Sequence, residues 1–151
     1  MKALCVKQPW AFLLISGRKT LEVRTWSTNY RGELLICASA SPKNQFWLDN
    51  SVTPEAIRLL PSGCVHGAVI LKNVRRMKES DAFDGGACCE YHEGAYVWEI
   101  ESSQYRPCKP DKIIGKLGLF EVSNEKIVFL DEGDDFYNYS PPQGVVMLTK
   151  K

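Results

Sequence analysis

Residues 16–24 read Ser-Gly-Arg-Lys-Thr-Leu-Glu-Val-Arg, and apolar and polar side chains alternate at the end of this segment. In an extended chain, successive side chains point to opposite faces. Leu21 and Val23 therefore share an apolar face, while the opposite face carries Thr20, Glu22, Arg24 and Trp26. One apolar and one polar face are typical of a strand that covers a core on one side only. The pattern predicts a β-strand over residues 19–26.

The flanking segments predict two helices and further strands. Upstream, Pro9 suits the first position of a helix and Gly17 the position just after its end. Downstream, Thr53 suits the N-cap of a helix that begins near Pro54. Apolar and alternating runs predict strands at residues 4–6, 34–38, 65–74, 96–100 and 117–122. The run at residues 34–38 is apolar on both faces, as expected of a central, buried strand.

The rest of the chain predicts a loop and a last hairpin. Residues 78–94 are polar and contain two adjacent glycines, which is typical of a long loop. The hairpin would pair residues 127–130 with residues 145–148 around the acidic turn at residues 131–135. Strands outnumber helices, and no repeat or linker divides the chain. We therefore expect an α+β fold, a mixed β-barrel of about five to seven strands with two or more short helices.

The charge balance of the chain restricts its partners. Nineteen basic residues against 18 acidic ones give a net charge of +1. Strong sequence-independent binding to duplex nucleic acid needs many phosphate contacts and a basic surface, so this balance excludes it. Any nucleic-acid site must therefore be local, and would bind a short single-stranded segment or a single nucleotide.

The apolar content predicts a cytoplasmic protein with no membrane association. No apolar run approaches the roughly 20 residues of a membrane helix, and residues 1–5 lack the features of a signal peptide. Six cysteines are spread along the chain, several of them in apolar segments. In the cytoplasm such cysteines stay reduced and behave as small hydrophobic residues.

The polar face of residues 19–26 has two interpretations. It is either the solvated outer face of a strand, where Glu22 and Arg24 screen each other, or a polar strip lining a cleft. In a cleft, the fork of Arg24 would hold a phosphate or a base edge, and Glu22 would accept a proton or a base amino group. Lys19 would serve as a nucleophile or base if burial favoured its neutral form.

The tryptophans divide between core and site. Trp10 and Trp98 are expected in the core, because large aromatic side chains fill small barrels. Trp26 shares the polar face with Glu22 and Arg24 and would stack on a base. Stacking of this kind contributes about 1–3 kcal/mol per base.

A zinc site is the alternative interpretation of the cysteines and histidines. Cys64, His66, Cys88, Cys89 and His92 offer thiol and imidazole ligands, but their spacing differs from the paired C-x-x-C of zinc sites. The acidic turn also lacks the ligand spacing and closing glutamate of a calcium loop. We expect no metal and no cofactor.

Four spaced motifs resemble the ASCH domain family. They are Gln-Pro-Trp-Ala at residues 8–11, the segment at residues 16–24, Tyr-Arg-Gly at residues 30–32 and the apolar run at residues 34–39. Residues 66–70, 96–98 and 115–120 look like later strands of the family. The resemblance implies an ASCH domain with a PUA-like fold over residues 1–124. Residues 125–151 would then be a C-terminal extension packed on the same domain.

The resemblance also implies a site that binds RNA or a modified nucleotide or nucleoside, in a cleft beside the strand of residues 19–26. On this basis the expected binding residues are Lys19, Thr20, Glu22, Arg24, Trp26, Tyr30 and Arg31. Some small relatives remove the acetyl group of acetylated cytidine with a lysine, a threonine three residues later and a distant glutamate. Lys19 matches that lysine, but Glu22 occupies the threonine position.

Three functions remain open from the sequence. A binding module is favoured, because a carboxylate beside Lys19 opposes the neutral amine that a nucleophile needs. The alternative is a small enzyme, an amidohydrolase or ribonuclease, with Lys19 and Glu22 as catalytic residues and Glu90 or Glu93 in the region of the distant glutamate. A third is a protein-interaction domain that has lost the cleft. The oligomeric state does not follow from the sequence.

Overall fold

The structure, a computed structural model, describes residues 1–40 and 60–130, with the backbone alone at residues 102–105. The helix expected near Pro54, the acidic turn and the second strand of the last hairpin lie outside the described residues. Within the described part, one six-stranded sheet dominates and helices are few. This agrees with the expected predominance of strands over helices.

The sheet contains both parallel and antiparallel strand pairs. Its strands are β1 (Lys2–Val6), β2 (Leu21–Arg24), β3 (Gly32–Ala38), β4 (Cys64–Arg76), β5 (Tyr96–Pro107) and β6 (Phe120–Glu121). They lie in the order β2-β5-β4-β3-β1-β6. The pair β1 and β3 is parallel, and the other neighbouring pairs are antiparallel. The strand predicted at residues 34–38 is β3, which lies between two neighbours and is buried from Leu34 onward.

Two of the predicted strands differ from the structure. Residues 117–119 are not extended in the sheet, and only Phe120 and Glu121 pair, at the end of β1. Leu117 is 99% exposed, so its alternation with Leu119 does not report a buried face. At residues 127–130, only Phe129 forms a bridge, with Cys108. The Lys109 N–H donates to the carbonyl oxygen of Val128, and the Leu130 N–H donates to that of Pro107. The partner strand predicted at residues 145–148 lies outside the described residues, so the hairpin stays a prediction.

The expected closure into a barrel is not confirmed. β2 lies at one edge of the sheet, and β6 covers only the first two residues of β1 at the other. Between these edges, an arginine side chain spans the gap, where Arg24 Nη2 donates a hydrogen bond of 2.8 Å to the carbonyl oxygen of Cys5. The sheet thus curves far enough for its two edges to approach, and β1 and β2 remain apart.

Alternation along the strands divides the core between the two faces of the sheet. On β1, Leu4 and Val6 belong to a cluster with the helix, whereas Ala3 packs in a second cluster with Cys37 and Phe120. Successive strand residues point to opposite faces, so these clusters cover opposite sides. A third cluster lies where a loop covers β2 and β5, and it includes Leu21, Met77, Ala87, Ala95 and Val97.

The helix α1 (Trp10–Ile15) begins one residue later than expected, with Pro9 at the N-cap. The carboxamide of the buried residue Gln8 supplies the missing cap, because its oxygen accepts a hydrogen bond from the Phe12 N–H at 3.0 Å. Gly17 ends the helix at φ 82°, a conformation that glycine adopts without steric cost. In the part of the chain that is described, no helix is long and apolar enough to cross a membrane.

Candidate functional site

A cleft of about 1420 Å³ lies where the edges β1 and β2 approach each other. Residues 4–7, in β1 and directly after it, form one side, and residues 22–26 form the other. Its polar and aromatic lining residues include Lys7, Trp10, Lys19, Glu22, Arg24, Trp26, Ser39, His92, Glu93 and Lys116. The gap left in the sheet therefore holds a cleft lined by several charged and aromatic side chains.

One row of charges runs along the β2 side of the cleft. Lys19 Nζ lies 3.7 Å from Glu22 Oε1, and Glu22 Oε2 lies 2.9 Å from Arg24 Nε. The Lys19 side chain is only 2% exposed and that of Glu22 8%, whereas that of Arg24 is 24% exposed. We call Lys19, Glu22 and Arg24 the polar row. Each charge in the polar row has a partner of opposite sign, and this pairing matters because a buried charge without a partner is strongly unfavourable.

The backbone around Lys19 explains why a lysine is buried there. The end of α1 holds its main chain, since the Lys19 N–H donates to the carbonyl oxygen of Leu13 at 2.9 Å. Its ammonium group donates to the carbonyl oxygen of Ala87, in the loop that follows β4. The same loop accepts bonds from the N–H groups of Thr20 and Leu21 through the carbonyl oxygen of Gly86. The loop thus buries Lys19 and supplies one of its hydrogen-bond acceptors.

A second ion-paired cluster fixes this loop. Two guanidinium nitrogens of Arg75 each lie 2.8 Å from a carboxylate oxygen of Asp81, and its Nε lies 2.6 Å from Glu99. The hydrogen bond from Arg75 lowers the pKa of Asp81 against the opposing effect of burial. The N–H of Lys78 adds a further bond to Asp81. These ion pairs and hydrogen bonds therefore hold the loop in place over Lys19.

Aromatic side chains form the apolar part of the cleft. The rings of Trp26 and Trp98 meet edge to face, with centroids 4.8 Å apart and an interplanar angle of 83°. Trp98 is fully buried and donates its indole N–H to the carbonyl oxygen of Trp26 at 3.3 Å. Trp26 and Trp10 are only partly buried and line the cleft. Trp98 is thus a core residue, as expected, but Trp10 is both core and cleft.

The opposite side of the cleft contains a thiol that no sequence motif singles out. Cys5 lies in β1, lines the cleft and is half-buried. A hydrogen bond from the Cys37 thiol lowers the pKa of Cys5 to about 7, and a backbone N–H of Lys116 and the charge of Arg24 act in the same direction, against burial. Only the pairing of strands far apart in sequence reveals this environment.

Three of the expected binding residues lie away from the cleft lining. Thr20 is exposed and does not line the cleft. The Tyr30 hydroxyl donates to the carbonyl oxygen of Glu33, and Arg31 donates to the carbonyl oxygens of Thr28 and Tyr30. These bonds brace the turn between β2 and β3. The structure brings together Lys19, Glu22, Arg24 and Trp26, and it does not bring Thr20, Tyr30 or Arg31 to them.

The histidines and cysteines do not converge in the described part of the chain. Within residues 1–40 and 60–130, no three side chains of His, Cys, Asp or Glu are placed to hold a metal ion. All six cysteines are free thiols. His66 is 5% exposed, and its Nε2 atom has no hydrogen-bond partner. Burial lowers the pKa of His66 to about 4, so at neutral pH this imidazole is uncharged.

Comparison with known proteins gives a consistent family. The model of the ASCH domain matches residues 4–115. Activating signal cointegrator 1 from Homo sapiens is 38% identical over 85 residues, and the protein of the same name from Mus musculus is 35% identical over 85 residues. Each match covers 50% of this chain. The chain spans only about 15% of the length of these curated relatives.

Solved structures agree at the level of the fold. The crystal structure of ASCH from Zymomonas mobilis has a TM-score of 0.56 and 15% identity, and covers 83% of this chain and 89% of that chain. A point variant of the same protein has a TM-score of 0.53 and 12% identity, with the same coverage. At such low identity, the likeness concerns the path of the chain and not the chemistry of the site.

Proposed function

The chain belongs to the ASCH domain family, and from that premise we propose that its cleft binds a short single-stranded RNA segment or a modified nucleotide. The observation that carries the proposal is the polar row beside Trp26, in the gap between β1 and β2. Arg24 uses Nε for Glu22 and Nη2 for Cys5. Its other N–H groups serve a phosphate or a base edge.

The size and charge of the cleft favour a short nucleic-acid segment. Sites for small molecules typically occupy roughly 300–1,000 Å³, and the cleft is larger, at about 1420 Å³. It has room for a nucleotide together with a neighbour. Lys7 and Lys116 on the β1 side complement Arg24 across the gap, which provides local positive charge in a chain whose net charge is only +1. Trp26 supplies a surface for base stacking.

The second candidate function is a small nucleic-acid-directed enzyme. Lysine and carboxylate side chains serve as nucleophiles and general bases in enzymes, and Glu93 adds another carboxylate to the cleft lining. The position of the Lys19 ammonium group argues for binding instead. It is 2% exposed, faces the carboxylate of Glu22 and donates to Ala87, so both contacts hold it inside the protein, whereas a nucleophile must reach its substrate.

The residues that follow β6 also contact the domain. Ile127 and Phe129 pack on the cluster around Cys37, and the Leu130 N–H donates to Pro107. We propose that residues 125–151 are a C-terminal extension of the ASCH domain of residues 1–124, packed on the same domain.

Arg24→Ala is expected to weaken binding of a short RNA or nucleoside by about tenfold or more. A hydrogen bond to a charged group contributes about 1.5–3 kcal/mol, and about 1.4 kcal/mol corresponds to a factor of ten. We expect acetylated cytidine to remain unchanged under the same conditions. Titration calorimetry with a panel of nucleosides and short RNAs measures binding, and chromatography follows the acetylated nucleoside.

Arg106→Ala is the matched control, because Arg106 is an exposed arginine that pairs with Glu33 outside the cleft. Thermal denaturation identifies any variant that does not fold, and Arg24→Lys keeps the charge while removing the fork. Equal binding by the native protein and a folded Arg24→Ala variant would refute the site. Rapid deacetylation of acetylated cytidine that is abolished by Lys19→Ala would favour the enzyme over the binding module.

A further inference from the structure

Two cysteines lie side by side across the parallel strands β1 and β3. Cys5 and Cys37 are register partners in this pair, and neighbouring strands lie roughly 4.8 Å apart. That spacing falls inside the roughly 4.4–6.8 Å that separates the Cα atoms of disulfide-bonded cysteines. Partners in register point to the same face of a sheet, and both residues belong to the cluster formed with Ala3 and Phe120.

The two thiols differ in their access to solvent. Cys37 is fully buried, whereas Cys5 is half-buried and lines the cleft. The glycine at position 115 lies directly against Cys5, because a Cβ atom there would lie 2.5 Å from the Cys5 sulfur. A small reagent in the cleft therefore meets Cys5, whereas the buried Cys37 does not line the cleft.

The environment separates the two thiols chemically. The Cys37 thiol donates a hydrogen bond to the Cys5 sulfur, and a backbone N–H of Lys116 donates another. These bonds bring the pKa of Cys5 to about 7, whereas its hydrogen bond to Cys5 and burial raise the pKa of Cys37. At neutral pH, a large fraction of Cys5 is therefore thiolate, the nucleophilic form, while Cys37 remains a protonated thiol beside it.

We propose that Cys5 and Cys37 form a peroxide-sensitive dithiol at the edge of the cleft. The Cys5 thiolate attacks one oxygen of hydrogen peroxide, the O–O bond breaks, and the departing hydroxide takes a proton to become water. The Cys37 sulfur then attacks the sulfenic acid of Cys5, and its proton leaves with the hydroxyl group as a second water. Two thiols are oxidised to one disulfide, and one peroxide is reduced to two waters.

The remaining thiols of the chain do not share these properties. Burial raises the pKa of Cys64 to about 11 and that of Cys108 to about 12. Cys89 is the closest match to Cys5, because it is half-buried and lines the same cleft. Burial raises the pKa of Cys89. Cys89 is therefore a control within the same chain, because it lines the same cleft but its pKa is not lowered.

The test is to treat the full chain with hydrogen peroxide, block free thiols by alkylation and identify the cysteine peptides by mass spectrometry. The expected product is a linked Cys5–Cys37 peptide that a dithiol reductant removes, formed at least about tenfold faster than any oxidation of Cys89. In Cys37→Ser, which lacks the second thiol, Cys5 is expected to accumulate as a sulfenic acid that a dione reagent traps.

Two results would overturn the proposal. One is oxidation of Cys5 to sulfinic or sulfonic acid in the native protein while Cys37 stays a free thiol. The other is oxidation of Cys5 no faster than that of Cys89. Both readouts come from the native chain, so they hold even if Cys37→Ser fails to fold. They are also independent of nucleic-acid binding, so the result is separate from the fate of the proposed function.

Discussion

Glu22→Gln is expected to lower the free energy of unfolding by about 3–5 kcal/mol, the range found when one partner of a buried ion pair is removed. Glutamine keeps the size of the side chain and removes its charge. Lys19 then remains 2% exposed with a carbonyl oxygen as acceptor and no counter-ion. The charge of Arg24, 2.9 Å from the same carboxylate, adds to the repulsion. Denaturant unfolding of native and variant protein measures the difference.

Glu33→Gln is the matched control for this prediction. Glu33 makes an ion pair of 2.7 Å with Arg106, but both side chains are about half exposed, at 49% and 45%. Exposed pairs contribute at most about 1 kcal/mol. Adding Lys19→Met to Glu22→Gln removes the uncompensated charge and is expected to recover part of the loss. If Glu22→Gln costs no more than Glu33→Gln, the polar row is not a buried, coupled unit.

The second large effect is a loss of stability in mild acid that depends on His66. Burial lowers the pKa of the folded state from 6.5 to about 4, so the unfolded chain binds the proton more readily. Between these two pH values, the unfolded state therefore gains protons and the folded state does not. The contribution of His66 to the free energy of unfolding is fully present above about pH 6.5 and is lost as the pH falls toward 4. The total loss is about 3 kcal/mol, since one pKa unit corresponds to about 1.36 kcal/mol.

The pH window distinguishes this histidine from the carboxylates. The Arg75 hydrogen bond lowers the pKa of Asp81 below its ordinary value of 3.8, so its contribution is lost only at more acidic pH. Denaturant unfolding at several pH values between 7 and 4 would measure the slope. His66→Gln should flatten it, whereas His92→Gln, at an exposed position in the loop, should not. An unchanged slope in His66→Gln would contradict the buried, neutral imidazole.

The sequence predicted the parts of the fold that depend on local pattern. Alternation at Leu21 and Val23 located β2, and a two-sided apolar run located the buried strand β3, because both signals are contained in a few consecutive residues. The alternation at residues 117–119 misled for the same reason. Nothing local reveals that β6 is limited to Phe120 and Glu121 and leaves Leu117 in solvent.

The site was predictable only in part, because its geometry depends on distant segments. The order of residues placed Glu22, Arg24 and Trp26 on one strand face, and these side chains do lie together. The burial of Lys19 depends on a carbonyl 68 residues away, at Ala87, and the environment of Cys5 depends on its pairing with β3. Such contacts exist only once the sheet has formed.

A ligand in the gap between β1 and β2 would change the backbone amide NMR signals of the residues around it. Isotope-labelled protein titrated with a short single-stranded RNA is expected to show saturable changes concentrated at Cys5, Lys7, Thr25, Trp26 and Gly94, all of which line the cleft. Changes concentrated instead at Lys72 and Arg75 on β4, or no saturable change at all, would contradict binding in this gap.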